Sequence, residues 1–203
     1  MIRKTFIIAG CLLGLAAPTA HAQSDVRLRM DSHFYIGAGI GRSEARDFCG
    51  ALGGACDAKD MSWNIFAGYQ ITPNFAVEVG YNDFGKATSS GFIGGAPGAI
   101  SSESTAVEIV GLAGAPLTDT FSVYLKAGFF RFDTDAVGTG SSAGLAVSDD
   151  GSGATFGVGA EYSFTRNLAA RLEWQRYLSV TESILGAGDG DIGVLRWTTR
   201  YKF

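Results

Sequence analysis

The chain has 203 residues with 16 basic and 20 acidic side chains, a net charge of −4. That length suits one domain, and the acidic balance argues against nucleic acid as a partner, because such binding rests on Lys and Arg neutralising phosphates. Beyond the N-terminus no stretch approaches the roughly eighteen apolar residues of a spanning helix, and the 29 glycines against 4 prolines suit either flexible linkers or a crowded, extended fold.

In chain order, the first element is a leader. Arg3 and Lys4 precede the apolar run Phe6 to Ala17, and Ala20-His21-Ala22 is an A-x-A cleavage site. This predicts a secretory signal peptide over 1–22, cut after Ala22, with the mature domain over 23–203. A rival cut exists, because Ile8-Ala9-Gly10-Cys11 resembles a lipobox that would leave a lipidated Cys11. The apolar run ahead of that cut is short, so cleavage after Ala22 is the reading taken.

From residue 33 the chain alternates two kinds of segment. Eight stretches have period-two apolarity and about the length of a membrane-spanning strand, roughly 9–11 residues. They are 33–42, 61–71, 74–83, 104–115, 120–131, 154–164, 167–177 and 193–203. Successive side chains of a strand face opposite ways, so each segment has one oily face and one small or polar face. Phe34, Ile36, Ala38 and Ile40 make the first oily face; Trp63, Ile65, Ala67, Tyr69 and Ile71 the second. The segment 104–115 is the weakest, with Val107, Ile109, Gly111 and Ala113. The last segment sets Leu195, Trp197, Tyr201 and Phe203 against Arg196, Thr198, Arg200 and Lys202.

The linkers alternate in length. Thr72-Pro73, Pro116-Leu117-Thr118-Asp119 and Thr165-Arg166 are short; about 43–60, 84–103, 132–153 and 178–192 are long. Short turns at one end, long loops at the other and aromatic residues near the strand ends predict a transmembrane barrel. An open sheet edge cannot lie in hydrocarbon, so the eight strands must close. The expected fold is all-β: an eight-stranded antiparallel barrel with short periplasmic turns, both termini on that side, and four long extracellular loops. The Gly/Ser-rich stretches 86–102 and 138–153 read as mobile, exposed loop.

The inward parity carries Glu78, Glu108, Glu161 and Glu173 against Lys126, Arg171, Arg196 and Arg200. An eight-stranded barrel is just wide enough for side chains to fill it, so a charge-balanced ion-pair network is expected to plug the lumen. Cys49 and Cys56 flank a six-residue stretch of the first long loop, and in an oxidising compartment such a pair reads as a disulfide. With no His in that loop, zinc is not expected. Asp133-Thr134-Asp135 and Asp189-Gly190-Asp191 lack the distal Glu of a familiar calcium loop and read as solvated loop tips. No metal or cofactor is expected.

Tyr35-Ile36-Gly37-Ala38-Gly39-Ile40-Gly41, Phe66-Ala67-Gly68-Tyr69-Gln70-Ile71-Thr72-Pro73-Asn74 and Phe75-Ala76-Val77-Glu78-Val79-Gly80-Tyr81 look like the first three strands of the OmpA-type eight-stranded barrel. Gly159-Ala160-Glu161-Tyr162 and Ala170-Arg171-Leu172-Glu173-Trp174-Gln175 look like its sixth and seventh. The ending at Tyr201 and Phe203 resembles the terminal strand of outer-membrane barrels, where a final Phe with an aromatic residue two before it signals assembly. The resemblance implies a Gram-negative outer-membrane barrel of the barrel-only, opacity-type kind, without a peptidoglycan-binding domain. It implies that Glu78 and Arg171 pair in the lumen, that Glu161 and Glu173 are further lumenal carboxylates, and that the family's basic residue on strand four is replaced near Leu112.

Some eight-stranded barrels are lipid A enzymes using a Ser/His pair. Here His33 is the one histidine after the leader and Ser32 only its neighbour, so no triad is evident and no catalysis is expected. The expected role is outer-membrane integrity and surface display of loops. Adhesion or ligand binding by those loops is the first alternative, and a small-solute channel the second. The expected partners are outer-membrane lipid, lipopolysaccharide and the barrel-assembly machinery, with an extracellular ligand left unnamed.

Overall fold

A computed structural model describes residues 32–45, 56–93, 96–144, 146–181 and 190–203. Nine strands follow in order: β1 (His33–Ala45), β2 (Cys56–Asp57), β3 (Lys59–Thr72), β4 (Phe75–Ile93), β5 (Ala96–Pro116), β6 (Phe121–Gly140), β7 (Ala146–Ser163), β8 (Leu168–Thr181) and β9 (Gly190–Lys202). The two-residue β2 pairs only with β4, at Cys56–Ser89 and Asp57–Thr88. The eight long strands pair antiparallel with their neighbours, and the pairing of β1 with β9 closes the ring. Every barrel strand therefore has two partners, which is what hydrocarbon demands of a sheet.

The alternation in the sequence sets the two faces. Phe34, Ile36 and Ile40 point outward and are exposed, while Tyr35 between them is buried. The same alternation runs through β3 and β4, with Trp63, Ile65, Val77 and Val79 outward and Asn64, Phe66 and Glu78 inward. Outward aromatic side chains gather at two levels. Near the short turns and chain end, ring centroids of Phe34 and Tyr69 lie 4.7 Å apart, those of Tyr162 and Phe164 5.1 Å, and those of Tyr201 and Phe203 5.5 Å. Toward the other end, Trp63 meets Tyr81 at 5.6 Å and Phe156 meets Trp174 at 5.9 Å. Two girdles flanking an apolar band are the lipid-facing surface of an outer-membrane barrel.

The short turns are tied by polar side chains. The Thr72 hydroxyl accepts from the Asn74 and Phe75 amides, and the Asn74 side chain donates to the Gly114 carbonyl. Thr118 and Thr165 play the same accepting part in the other two turns. The Phe203 amide donates to the Phe34 carbonyl at 3.1 Å, so the last residue is stitched to the first strand.

The long connections differ from expectation. The stretches 84–103 and 132–153 are largely strand. β4 and β5 stay paired from Lys86–Glu103 to Ile93–Ala96, beyond an irregularity between Asp83 and Lys86. β6 and β7 stay paired to Val137–Ala146. The Gly/Ser-rich segments read as mobile loop are therefore two extended hairpins continuing the barrel wall. Their inner face explains it: Ile100, Phe132 and Ala136 are buried there, and Ser104 and Thr134 share a hydrogen bond of 2.9 Å. Asp133 and Asp135, read as loop tips, are in β6. Residues 1–31, which hold the expected leader, Cys49, Asp189 and the Cys56 side chain lie outside the described residues.

Candidate functional site: the barrel lumen

The lumen brings all eight expected charges together. Glu78 comes from β4, Glu108 from β5, Lys126 from β6, Glu161 from β7, Arg171 and Glu173 from β8, and Arg196 and Arg200 from β9. Each is buried except Arg200, which is partly open. They form a ladder of alternating sign. At the turn end, Arg200 Nη2 donates to Glu161 Oε1 at 2.6 Å, and Arg171 Nε donates to the other Glu161 oxygen at 2.6 Å. Arg171 Nη1 then reaches Glu78 Oε1 at 2.6 Å. Lys126 Nζ stands between three carboxylates, at 3.4 Å from Glu78, 3.3 Å from Glu108 and 3.9 Å from Glu173. Arg196 completes the series 3.7 Å from Glu173, and it donates to Asn82 Oδ1 at 2.6 Å.

Burying so many charges is costly unless each is paired and hydrogen-bonded. Tyrosines supply much of the remaining bonding. Tyr35 donates to Glu78 and Tyr124 to Glu173, both at 2.9 Å, and Tyr177 donates to Glu108 at 3.0 Å. Gln175 Nε2 adds a bond of 2.7 Å to Glu108. The Arg171 guanidinium also lies 5.5 Å from the Tyr35 ring centroid and 5.1 Å from that of Tyr124, within cation–π reach.

The inward tyrosines are what parity alone missed. Two of the three sit across from a glycine. Tyr35 is register partner to Gly68 and Tyr124 to Gly159. A Cβ on Gly68 would come 2.3 Å from the Tyr35 ring, and one on Gly159 2.4 Å from the Tyr124 ring. The missing side chain is the space the ring occupies. Gly37 and Phe66, Gly151 and Phe132, and Gly153 and Phe130 repeat the arrangement. Leu112, at the position where the resemblance implies a missing base, faces Lys126 across the β5–β6 register. Lys126, on the strand next to that of Leu112, thus delivers an ammonium to Glu78 of β4.

A second layer lies toward the hairpins. Phe84, Phe130, Phe132, Tyr177, Ile192 and Val194 form a buried apolar cluster with Ala106. The Tyr177 ring packs on Phe84 at 4.8 Å and on Phe130 at 5.1 Å, while its hydroxyl bonds Glu108. One residue therefore joins the charged ladder to an apolar cap. At the turn end, a cavity of about 270 Å³ opens below the ladder, lined by Arg171, Arg200, Glu161, Tyr124 and His33 among others. His33 sits at the start of β1, its ring 6.1 Å from that of Tyr35. Among the described residues no group of three or more His, Cys, Asp or Glu is placed to hold a metal. Tyr201 and Phe203 point outward on the turn-side girdle and take no part in the lumen.

A closed antiparallel ring with an apolar belt, two girdles and a polar, filled interior defines a transmembrane β-barrel of the bacterial outer membrane. The chain belongs to the OmpA-like transmembrane domain family, whose model matches residues 29–203. It is 29% identical over 208 residues to Outer membrane protein A of Shigella flexneri, covering all of this chain and 56% of that protein. It is 27% identical over 182 residues to the Klebsiella pneumoniae protein of the same name, covering 85% of this chain and 52% of that one. The chain thus spans about half the length of the curated relatives it matches. Neisserial surface protein A shares the fold with a TM-score of 0.56 at 17% identity, over 84% of this chain and 97% of that one. So does Ail, the attachment invasion locus protein of Yersinia pestis, solved with the heparin analogue sucrose octasulfate. Its TM-score is 0.54 at 13% identity, over 86% of this chain and 100% of that one. The protein is accordingly an outer-membrane protein of a Gram-negative bacterium.

Proposed function

We propose that this barrel is a non-catalytic, sealed component of the outer membrane that contributes to envelope integrity and carries two strand-built hairpins beyond the lipid. The observation that supports it best is the double filling of the lumen, by the charged ladder and by the apolar cap above it. Among the described residues the lumenal carboxylates and bases are held in shared ion pairs, which suits a structural plug better than general base or nucleophilic work. The lumenal ion-pair network acts in this reading as a structural plug. The leader over 1–22 directs secretion, Tyr201 and Phe203 engage the barrel-assembly machinery, and the finished barrel sits among lipopolysaccharide. The experiment is a deletion strain complemented with the wild-type chain. Loss of envelope integrity, read as detergent and dye sensitivity and restored by the wild type, is expected. An unchanged envelope would overturn the integrity role. Removing Phe203 should lower the level of folded barrel in the outer membrane without affecting secretion, and normal assembly would overturn its part.

The first-loop cysteines, Cys49 and Cys56, are proposed to form a disulfide dispensable for the barrel. The mature protein should weigh two hydrogens less without reductant than with it. Two maleimide-reactive thiols would sink the pairing.

Surface recognition is the second reading, favoured by the length of the hairpins. Their chemistry constrains a partner. Glu103 lies across from Asp135, and Asp133 across from Asp150, while among the described residues Lys86 and Arg131 answer them, at 2.6 Å from Glu103 and 2.8 Å from Asp150. Such a face repels polyanions. A sulfated sugar of the kind bound to Ail is therefore a poor fit, and a neutral or cationic ligand a better one. Binding of the intact barrel to immobilised heparin at physiological salt would contradict this.

A further inference from the structure

The cavity at the turn end is a blind vestibule, floored by the ladder and open toward the short turns. At about 270 Å³ it falls just short of the roughly 300–1,000 Å³ of ordinary ligand pockets, so it takes a small molecule. Its floor is two arginines on one carboxylate: Arg171 and Arg200 each hold one oxygen of Glu161 at 2.6 Å. Its apolar wall is Ala76, Leu112 and Tyr124, all buried in the lumen. Asp119 is exposed at the rim. The frame is tied from turn to turn. The Asn74 side chain donates to the Gly114 carbonyl at 2.8 Å, the Thr118 hydroxyl accepts from the Phe121 amide at 2.9 Å, and the Ser163 amide donates to the Thr120 carbonyl at 2.8 Å. A vestibule held this way is formed before any ligand arrives, which lowers the cost of binding one.

Arg200 differs from the other lumenal bases. Arg171 is committed to Glu161 and Glu78, and Lys126 stands among three carboxylates. Arg196 has unpaired Nε and Nη2, but both are sealed from water. Arg200 spends Nη2 on Glu161, and among the described residues its Nε and Nη1 have no hydrogen-bond partner. Neither atom is sealed. The Arg200 side chain is 12% exposed, against 3% for Arg171, 2% for Lys126 and 1% for Arg196. Its guanidinium lies 4.8 Å from the Tyr35 ring centroid, which steadies it at the floor. A guanidinium reached by water beside an apolar wall suits an anion with an apolar body. The charges of the lining limit that anion. Arg171 and Arg200 share the vestibule with Glu161 and Asp119, so no excess of positive charge is present to balance a dianion.

We propose that the turn-side vestibule is a binding site for a small monocarboxylate, with the carboxylate on Arg200 and the apolar body against Leu112 and Tyr124. The ligand enters and leaves by the same mouth, because the Arg171–Glu161 pair closes the floor. The site goes beyond the sealed-barrel reading: it adds binding at the turn end to a barrel that conducts nothing.

The purified, folded protein in phosphocholine detergent micelles is titrated with benzoate, and its backbone amide NMR shifts are followed. Ala76, Leu112 and Ser122 should shift and saturate, while Val137 on the β6 hairpin stays still. Benzamide, of the same shape without the charge, and sulfate, a dianion, should each bind roughly tenfold more weakly or worse. Arg200→Gln should weaken benzoate by roughly tenfold and keep a folded spectrum. Ser122→Trp fills the vestibule and leaves Arg200 in place, and it should abolish the shifts. Arg166→Gln removes a cation from a turn outside the vestibule and should change nothing. The absence of saturable shifts at the three vestibule amides overturns the site. So does undiminished binding in Arg200→Gln or Ser122→Trp, or an equal loss in Arg166→Gln. Benzamide binding as tightly as benzoate overturns the role of the carboxylate, and sulfate binding as tightly overturns the monocarboxylate class.

Discussion

Arg171 is the residue on which the turn-side half of the ladder turns, because its guanidinium bonds Glu161 and Glu78, each at 2.6 Å. Removing one partner of a buried pair leaves a charge without compensation, at a cost of roughly 3–5 kcal/mol. Arg171→Ala should therefore lower stability by about that much in urea unfolding of the vesicle-inserted barrel. Lys59→Ala, which breaks an exposed pair with Glu44, should cost about 0–1 kcal/mol. Equal effects from the two would mean that water reaches the ladder and shares its charges. The eight charges were legible because a charge on the parity opposite an oily face has nowhere to go but inward. Who pairs with whom was less legible. The bridging of Glu78 by Lys126 depends on side-chain reach across the lumen between non-adjacent β4 and β6, which no spacing along the chain reveals.

At the scale of strands, register decides what parity cannot. Tyr35, Phe66 and Tyr124 look out of place on a polar face until Gly68, Gly37 and Gly159 are set opposite them. Gly68→Val should thus crowd Tyr35 off Glu78 and cost about 1–3 kcal/mol, as overpacking does. Gly111→Ala, whose nearest neighbour would be the Ala127 carbonyl at 3.9 Å, should be close to neutral. Unfolding midpoints that rank the two alike would refute the packing argument. The segment 104–115 read weakly because it is apolar on both faces, with Val110 and Leu112 buried against Tyr35, Phe66 and Tyr124. The hairpins were misread for the opposite reason. Both faces of 86–102 are rich in small and polar residues, so no oily stripe marks a strand. Pairing carried up from the membrane supplies the order that composition hides. Replacing residues 88–101 with a tight turn should leave assembly and heat-modifiable migration intact, since Phe84 and Ala106 of the apolar cap remain. Failure to assemble would show that the extension helps to build the barrel.

For the molecule as a whole, the two fillings of the lumen work in series. The ladder occupies the middle and turn-side half, and the aromatic cap lies between it and the hairpins, with Tyr177 shared by both. Ions crossing the barrel would have to pass a charged layer and then a dry one. Breaking only the first leaves the second in place, and an apolar constriction is a barrier without any charge. Pure wild-type protein in planar bilayers should hold baseline conductance, and so should Arg171→Ala. The double variant F130A/F132A removes two rings from the cap, at about 3–5 kcal/mol each, and should also stay closed while the ladder holds. Only R171A/F130A/F132A, with both layers breached, should show discrete openings. Each variant must first show the folded, heat-modifiable band, so that silence is not mistaken for misfolding. Openings of a single size in Arg171→Ala alone would mean that the ladder is the whole barrier. Stable channels in the wild type would replace the sealed barrel with a pore.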